Sequence, residues 1–216
     1  MNSLIIGVDE AGRGPLFGSV YTSAVILPEN DFDTSMLKDS KKFTSKKKIK
    51  QVYEYIKKNN TIYSIDFSTH EDIDKYNILQ ATQKSMHRSI QTVIKQYIES
   101  HESFVPSIFD TIMIYVDGNY FNDFVYFYLD KYYKIKHECL IKGDDLCKSI
   151  SAASILAKVE RDLYIEDFIQ QNPEYDEKYK LSTNKGYGTK QHLDGIREHG
   201  YSPYHRKSFK VKSLMN

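Results

Sequence analysis

The sequence has little of what several classes of protein depend on. Its 216 residues include only two cysteines, Cys139 and Cys147, too few for a disulfide framework and wrongly spaced for a zinc site. No apolar run approaches the length of a membrane span, and the amino terminus lacks the basic start and apolar stretch of a signal peptide. There is no internal repeat, and the composition does not fit a collagen-like or coiled-coil chain. We therefore expect a cytoplasmic protein in a reducing compartment.

The composition supports a packed core. Hydrophobic residues make up 40% of the chain and aromatic residues 13%, which is too apolar for a disordered chain. Apolar runs at residues 3–8, 20–27, 61–67 and 111–116, and another ending near residue 141, predict strands. Helical spacing of apolar residues predicts helices from about 44 to 58, 76 to 99 and 147 to 169. Residues 101–110 and the polar, proline-containing residues 172–184 are expected to be loops. Alternating strands and helices predict an α/β domain.

The net charge of +1 at first disfavours a nucleic-acid partner. The charge is sorted along the chain, however: residues 38–58 carry nine basic and two acidic residues, and residues 185–216 carry seven and two. The segments around these two basic blocks are acidic. If the fold brings the blocks together, they could form a cationic surface around an anionic pocket.

Carboxylates follow or precede several predicted elements. Asp9 and Glu10 follow the first apolar run, Asp117 follows another, and Asp144 precedes a helix. Each one alone is readily explained as a cap or turn residue. If the sheet brings the strand ends together, the four carboxylates would repel one another unless cations neutralise them or some take up protons. Oxygen ligands without a His or Cys cluster favour Mg²⁺ or Mn²⁺, and such a site suits phosphodiester hydrolysis. Spacing alone leaves the metal site and ordinary caps equally open.

A glycine-rich turn, Gly12-Arg13-Gly14, follows the first predicted strand. It is not a dinucleotide-binding turn, because Pro15 and a second strand follow where that motif needs a helix. The turn could simply connect two strands. It could also let the backbone approach a sugar-phosphate ligand, with Arg13 available to a phosphate.

Blocks of residues along nearly the whole chain are similar to those of the ribonuclease HII family, in the family's order. They are residues 7–16 (GVDEAGRGPL), 37–42 (LKDSKK), 77–82 (NILQAT), 116–119 (VDGN), 142–144 (KGD), 151–158 (SAASILAK), 184–189 (NKGYGT) and 205–209 (HRKSF). Two local departures, Gly18-Ser19 and Tyr120-Phe121-Asn122, bear on loop shape and leave the catalytic positions intact. The arginine between the glycines favours this family over the related ribonuclease HIII.

The resemblance implies a ribonuclease H-like fold: a mixed five-stranded sheet flanked by helices, with a small helical C-terminal part. It implies a catalytic domain over residues 1–180 and a substrate-contacting extension over residues 181–216, within one compact unit. It also implies cleavage of RNA in RNA/DNA hybrids and incision on the 5′ side of ribonucleotides embedded in duplex DNA. Two divalent ions, Mg²⁺ or Mn²⁺, would be held by the residues that match the family's catalytic carboxylates: Asp9, Glu10, Asp117 and Asp144. Asp145 falls outside the motif position.

The resemblance also assigns substrate contacts. Gly12, Arg13 and Gly14 match the element that contacts the ribose 2′-hydroxyl and neighbouring phosphates, and Tyr187 matches the residue that packs against the ribonucleotide. A 2′-hydroxyl is the group that distinguishes RNA from DNA. Further contacts to backbone phosphates are expected at Ser40, Lys41, Ser154, Lys158 and Lys185. The simpler alternative is that these side chains are solvated or take part only in packing.

Two other functions stay open from the sequence. A non-catalytic hybrid-binding module would bind without metal-dependent cleavage, although all four carboxylates are retained. A nuclease indifferent to the 2′-hydroxyl would cut all-DNA substrates, against which the glycine turn and Tyr187 argue. The simplest quaternary state is a monomer, and no protein partner can be inferred.

Overall fold

The computed structural model describes residues 3–29, 32–37, 45–59, 61–101 and 105–214. Six strands form a single sheet in the order β3-β2-β1-β4-β6-β5. The strands are β1 (Leu4–Ala11), β2 (Val20–Ile26), β3 (Ile62–Ser68), β4 (Ile112–Asp117), β5 (Phe124–Tyr128) and β6 (Lys131–Leu140). The helices are α1 (Lys46–Lys58), α2 (His70–Tyr76), α3 (Ile78–Ser100), α4 (Gly143–Leu146), α5 (Lys148–Gln171), α6 (Pro173–Tyr179), α7 (Leu181–Asn184) and α8 (Lys190–His199). The predicted α/β class is confirmed.

The sheet is mixed, as expected, but has six strands where five were expected. Strand β1 runs antiparallel to β2 and parallel to β4, and β4 runs parallel to β6. The additional strand is β5, which forms an antiparallel hairpin with β6. Its two-residue turn places Leu129 and Asp130 at φ values of 46° and 59°. Such a turn usually contains Asn or Gly, so Leu-Asp gave no hairpin signal.

Helices cover both faces of the sheet. On one face, α3 packs Met86, Ile90 and Val93 against residues of β1 and β4 in the main core. On the other face, α5 packs Ala152, Ile155 and Leu156 in a second core together with α1 and β2. The contact of β1 with α5 is very close, because a Cβ added at Gly7 would lie 2.1 Å from the carbonyl carbon of Ser149. Close packing of β1 against α5 therefore positions the residues at the end of β1.

Some local boundaries differ from the prediction. Ser45 caps α1 by accepting a hydrogen bond from the Lys47 amide; Thr44, at the predicted start of this helix, lies outside the described residues. Helix α2 was not predicted, although Thr69 and Asp72 form a capping box at its start. Within residues 101–110, Pro106–Asp110 form a short 3-10 helix.

The expectation of a loop at residues 172–184 was wrong. These residues form α6 and α7, and Pro173 stands in the first turn of α6, where its missing amide hydrogen costs nothing. With α8, they pack Tyr179, Leu181 and Ile196 around Leu16 and Phe17, just after the glycine turn. The C-terminal helices therefore pack against the residues that follow the glycine turn. Across the ranges that the structure describes, none of the helices is at once long and apolar enough to span a membrane.

Candidate functional site

The sheet brings the four predicted carboxylates to one edge. Val8 of β1 pairs with Val116 of β4, so Asp9 and Asp117 follow on neighbouring parallel strands. Asp117 in turn pairs with Leu140 at the end of β6, which leads directly to Asp144 in α4. Parallel strands end at the same edge of a sheet, and ligand sites collect there. The strand-end pattern in the sequence therefore corresponds to a real convergence.

Main-chain amides donate hydrogen bonds to two of the carboxylates. The Gly143 amide donates to Asp117 Oδ1 at 2.7 Å, which joins the end of β4 to the residue before Asp144. The Glu10 amide donates to Asp9 Oδ1 at 2.6 Å. Asp9 and Asp144 are both 5% exposed, so these two carboxylates lie almost wholly out of bulk water.

The electrostatics of Asp9 reflect this crowding. Burial raises the pKa of Asp9 well above its ordinary value, and the negative charges of Glu10 and Asp117 raise it further. Hydrogen bonds from the Glu10 amide and the Ser154 hydroxyl act in the opposite direction. A buried carboxylate beside two others is stabilised in its charged form by a cation.

The donor set fits a hard divalent cation in its chemistry. All four side chains offer carboxylate oxygens, the ligands that Mg²⁺ and Mn²⁺ prefer. Among the residues that the structure describes, no three His, Cys, Asp or Glu side chains are grouped closely enough to hold a metal ion as they stand. By the chemistry of their side chains, Asp9, Glu10, Asp117 and Asp144 are the residues that could hold such an ion.

A cavity of about 300 Å³ opens at this edge of the sheet. It brings together most of the predicted site residues, and its wall also includes Ala11 and Arg161, which were not predicted. The predicted residues in the wall are Asp9, Glu10, Gly12, Arg13, Gly14, Asp117, Ser154, Lys158 and Tyr187. Ser154, Lys158 and Arg161 share one face of α5, at spacings of four and three residues.

A second cavity, of about 240 Å³, adjoins the first and shares Glu10, Arg13 and Asp117 with it. Its other walls come from the start of α3 and from residues 118–120 after β4. Asp9, Glu10 and Asp117 thus line one or both of the two cavities, whereas Asp144 lines neither.

The glycine turn and Tyr187 lie side by side in the cavity wall. Gly12 has a φ of 90°, and a Cβ there would lie 2.1 Å from Arg161 Nε. A Cβ on Gly14 would lie 3.5 Å from the Tyr187 ring. The Leu16 amide donates to the Gly186 carbonyl at 2.8 Å, which ties the turn to the segment that carries Tyr187. Tyr187 is 48% exposed, so its ring is available to a ligand.

Arg161 is a site residue that sequence reasoning missed. It is 2% exposed, its guanidinium lies 5.7 Å from the centroid of the Tyr187 ring, and its Nη2 donates to the Lys185 carbonyl at 2.8 Å. Its position seven residues after Ser154 on the same helical face was the available signal.

Lysines of the two basic blocks meet at one residue, Glu166. Lys46 and Lys50 of the first block and Lys185 of the second all lie within 3.7 Å of Glu166 on α5. Burial raises the pKa of Glu166, but the hydrogen bond and charge of Lys185, with Lys50, hold it below its ordinary value. Lys185 Nζ binds Glu166, and Lys185 is not among the residues that line the cavity. Lys158 does line it and pairs with Asp162 at 2.6 Å, whereas Ser40 and Lys41 lie outside the described residues.

Comparison with known proteins gives one consistent family. A model of the family described as Ribonuclease HII matches residues 6–212. The ribonuclease HII of Bacteroides thetaiotaomicron is 41% identical over 207 residues, covering 95% of this chain and 88% of that protein. The ribonuclease HII of Treponema denticola is also 41% identical, over 98% of this chain and 100% of that protein. The fold resembles that of RNase HII in its complex with PCNA from Archaeoglobus fulgidus, with a TM-score of 0.68, 18% identity, and coverage of 97% of this chain and 96% of that one.

Proposed function

The chain belongs to the ribonuclease HII family, and from this premise we propose how its site recognises and cuts its substrate. The family assignment makes the chain a divalent-metal-dependent endoribonuclease that degrades RNA in RNA/DNA hybrids. Beyond that, we propose that it also incises duplex DNA on the 5′ side of an embedded ribonucleotide, as in ribonucleotide removal and primer removal.

The observation that carries this proposal is the shared cavity. Three carboxylates, Asp9, Glu10 and Asp117, line the same 300 Å³ space as Gly12-Arg13-Gly14 and Tyr187. A site that cuts only beside a ribose needs its reacting groups and its sugar-reading groups within one nucleotide of each other. The Tyr187 ring lies beside Gly14, where an added Cβ would be 3.5 Å from it, and this proximity supports a binding place for that nucleotide between the turn and the ring.

Each part of the chain has a distinct part in the proposed reaction. Asp9, Glu10, Asp117 and Asp144 would hold two divalent ions, Mg²⁺ or Mn²⁺. Once bound, such ions would supply an activated water at neutral pH and stabilise the leaving 3′-oxygen. The scissile phosphate lies between the carboxylate edge of the sheet and the turn, and Ser154 and Lys158 of α5 contact the neighbouring phosphates.

The glycine turn and Tyr187 orient the ribonucleotide. Gly12, Arg13 and Gly14 offer backbone groups and a guanidinium to the 2′-hydroxyl and phosphates, while the Tyr187 ring packs against the sugar. The 2′-hydroxyl serves recognition, so hydrolysis leaves a 5′-phosphate on the ribonucleotide and a 3′-hydroxyl upstream. Ser40, Lys41 and Lys185 are proposed as outer contacts to the backbone phosphates.

The C-terminal part supports this arrangement. We propose that residues 181–216 act as a substrate-contacting extension of a catalytic domain at residues 1–180. Its helices α7 and α8 flank the segment that carries Tyr187, and its apolar residues pack behind the glycine turn.

The test is a cleavage assay on a DNA duplex that contains one ribonucleotide, with Mg²⁺ or Mn²⁺. We expect one cut on the 5′ side of the ribonucleotide, no cutting of the all-DNA duplex, and a loss of at least about a hundredfold in rate for Asp9→Asn. Asp145→Asn is the matched control, because Asp145 is exposed and adjacent to Asp144; it should cut normally. Intact substrate with the unaltered protein, cutting of all-DNA duplex, or normal cutting by Asp9→Asn would each contradict the proposal.

A further inference from the structure

Arg206, in the segment after α8, is a fully buried arginine that contacts the glycine turn. Its side chain is 0% exposed. The preceding residue, His205, forms an isolated antiparallel β-bridge with Phe17, which follows the glycine turn. The guanidinium donates four hydrogen bonds to main-chain carbonyls. They run from Nε to Gly18 at 2.8 Å, from Nη1 to Arg13 at 2.9 Å and to Pro15 at 2.8 Å, and from Nη2 to Gly12 at 2.7 Å.

This arrangement is unusual for a buried charge. Among the ion pairs found in the described ranges, none includes Arg206. Burial and the nearby charge of Arg161 lower the pKa of Arg206 to about 9, so the side chain is still protonated at neutral pH. A buried cation without a carboxylate needs other compensation, and here the carbonyl dipoles of the turn supply it.

The four bonds also determine where the amide groups of the turn point. In a trans peptide, the C=O of one residue and the N–H of the next point in opposite directions, and the chain has no cis peptides. Since the carbonyls of Gly12 and Arg13 point at Arg206, the N–H groups of Arg13 and Gly14 point away from it. Within the part of the chain that the structure describes, no hydrogen bond from either N–H is recorded.

The side of the turn away from Arg206 is the cavity wall. Gly12, Arg13 and Gly14 line the cavity, whereas Arg206 does not. Two successive N–H groups that face a concave space form an anion-binding site. Their direction is set by the arginine behind them.

We propose that Arg206 is a positioning residue, which holds the amides of Arg13 and Gly14 toward the cavity so that they bind a phosphate oxygen beside the ribonucleotide. This inference rests on the substrate role proposed above for Gly12-Arg13-Gly14. Arg206 itself contacts no substrate. Lysine cannot replace it, because one ammonium has three donors and no planar fork with which to bind four carbonyls.

The test compares Arg206→Lys with the unaltered protein on the single-ribonucleotide duplex, at a temperature where both are folded by circular dichroism. We expect kcat/KM to fall about 10- to 100-fold, mainly through KM, because charge-assisted hydrogen bonds from two amides are misaligned. The matched control is Arg88→Lys. Arg88 binds Asp66 and the Phe67 carbonyl on β3, two strands away from β1, and lines neither cavity, so this substitution should leave KM unchanged.

A purely structural role gives a different result. Arg206→Lys would then melt at a lower temperature but keep the KM and kcat of the unaltered protein while folded, and the inference would be wrong. Failure of the proposed function is recognised separately, because the unaltered protein would then leave the ribonucleotide duplex intact or cut all-DNA duplex, and Arg13→Ala would bind substrate normally.

Amide hydrogen exchange provides a second measurement that needs no Arg206 variant. In the free protein, the Arg13 and Gly14 amides should exchange quickly. In Asp9→Asn bound to the single-ribonucleotide duplex, they should exchange at least about tenfold more slowly. Protection of these amides already in the free protein, or no change on binding, would overturn the inference even if Arg206→Lys does not fold.

Discussion

Replacing Gly12 with alanine tests whether the turn, Arg161 and Tyr187 form one unit. Gly12 has a φ of 90°, and a Cβ at this position would lie 2.1 Å from Nε and 2.3 Å from Cδ of Arg161. Holding a residue with a Cβ at positive φ costs about 1–2 kcal/mol. Arg161 cannot move aside freely, because it is 2% exposed and donates to the Lys185 carbonyl.

The magnitude follows from these two contributions. Loss of the hydrogen bond from the Arg161 guanidinium costs about 1.5–3 kcal/mol, so Gly12→Ala should lower the free energy of unfolding by about 2.5–5 kcal/mol. For a chain of this size, that corresponds to a fall in melting temperature of about 5–20 °C. Cleavage should also fall while the protein is folded, because a displaced Arg161 no longer supports the Tyr187 ring.

Gly14→Ala is the matched control. A Cβ at Gly14 would lie 3.5 Å from Tyr187, an ordinary contact, and Gly14 does not have a positive φ. Its effect on stability should stay below about 1 kcal/mol. Thermal and urea denaturation of both variants decide the matter. A Gly12→Ala protein that melts within about 2 °C of the unaltered protein, or no lower than Gly14→Ala, would refute the reasoning.

Three further predictions concern other parts of the structure. Gly7→Ala should lower stability by about 4 kcal/mol or more, because the new Cβ would meet the main chain of Ser149 and Ile150; a normal urea midpoint would contradict this. Burial, followed by the charges of His192 and His70, lowers the pKa of His205 from 6.5 to about 3. The unfolded state therefore binds more protons below pH 6.5, and stability should fall toward pH 3 by up to about 1.4 kcal/mol per pH unit; an equally steep slope in His205→Gln would contradict this origin. Tyr187→Ala should leave the melting temperature nearly unchanged, since the ring is half exposed, but lower kcat/KM on the ribonucleotide duplex by about tenfold or more.

The sequence predicted those parts of the fold whose signals are local. The apolar runs before Asp9 and Asp117 identified β1 and β4, and parallel pairing of these strands brings the carboxylates together. Strand β5 was not predicted because its turn holds Leu129 and Asp130 in left-handed conformations, and leucine seldom adopts that conformation. Helix α6 was not predicted because a proline in a polar stretch usually indicates a loop. Pro173 instead occupies the first turn of the helix.

The site shows the same division between local and long-range signals. Glycines and carboxylates in motif blocks were recognisable along the chain, whereas the contacts of Arg161 and Arg206 join residues far apart in it. Arg206 binds carbonyls 188 to 194 residues away, and no periodicity or spacing encodes such a contact. A buried arginine that binds main-chain carbonyls is visible only when the chain is folded.

Binding of Mn²⁺, followed by electron paramagnetic resonance in the presence of the nicked product duplex, tests the proposed metal site most directly. The unaltered protein and Asp145→Asn should each bind two Mn²⁺ ions per chain, and Asp117→Asn should bind them at least about tenfold more weakly. Asp117→Asn should nevertheless keep its fold, because the amide oxygen can still accept the hydrogen bond from Gly143. Binding of Mn²⁺ by Asp117→Asn with unchanged affinity and stoichiometry would contradict the assignment of these carboxylates as the metal ligands.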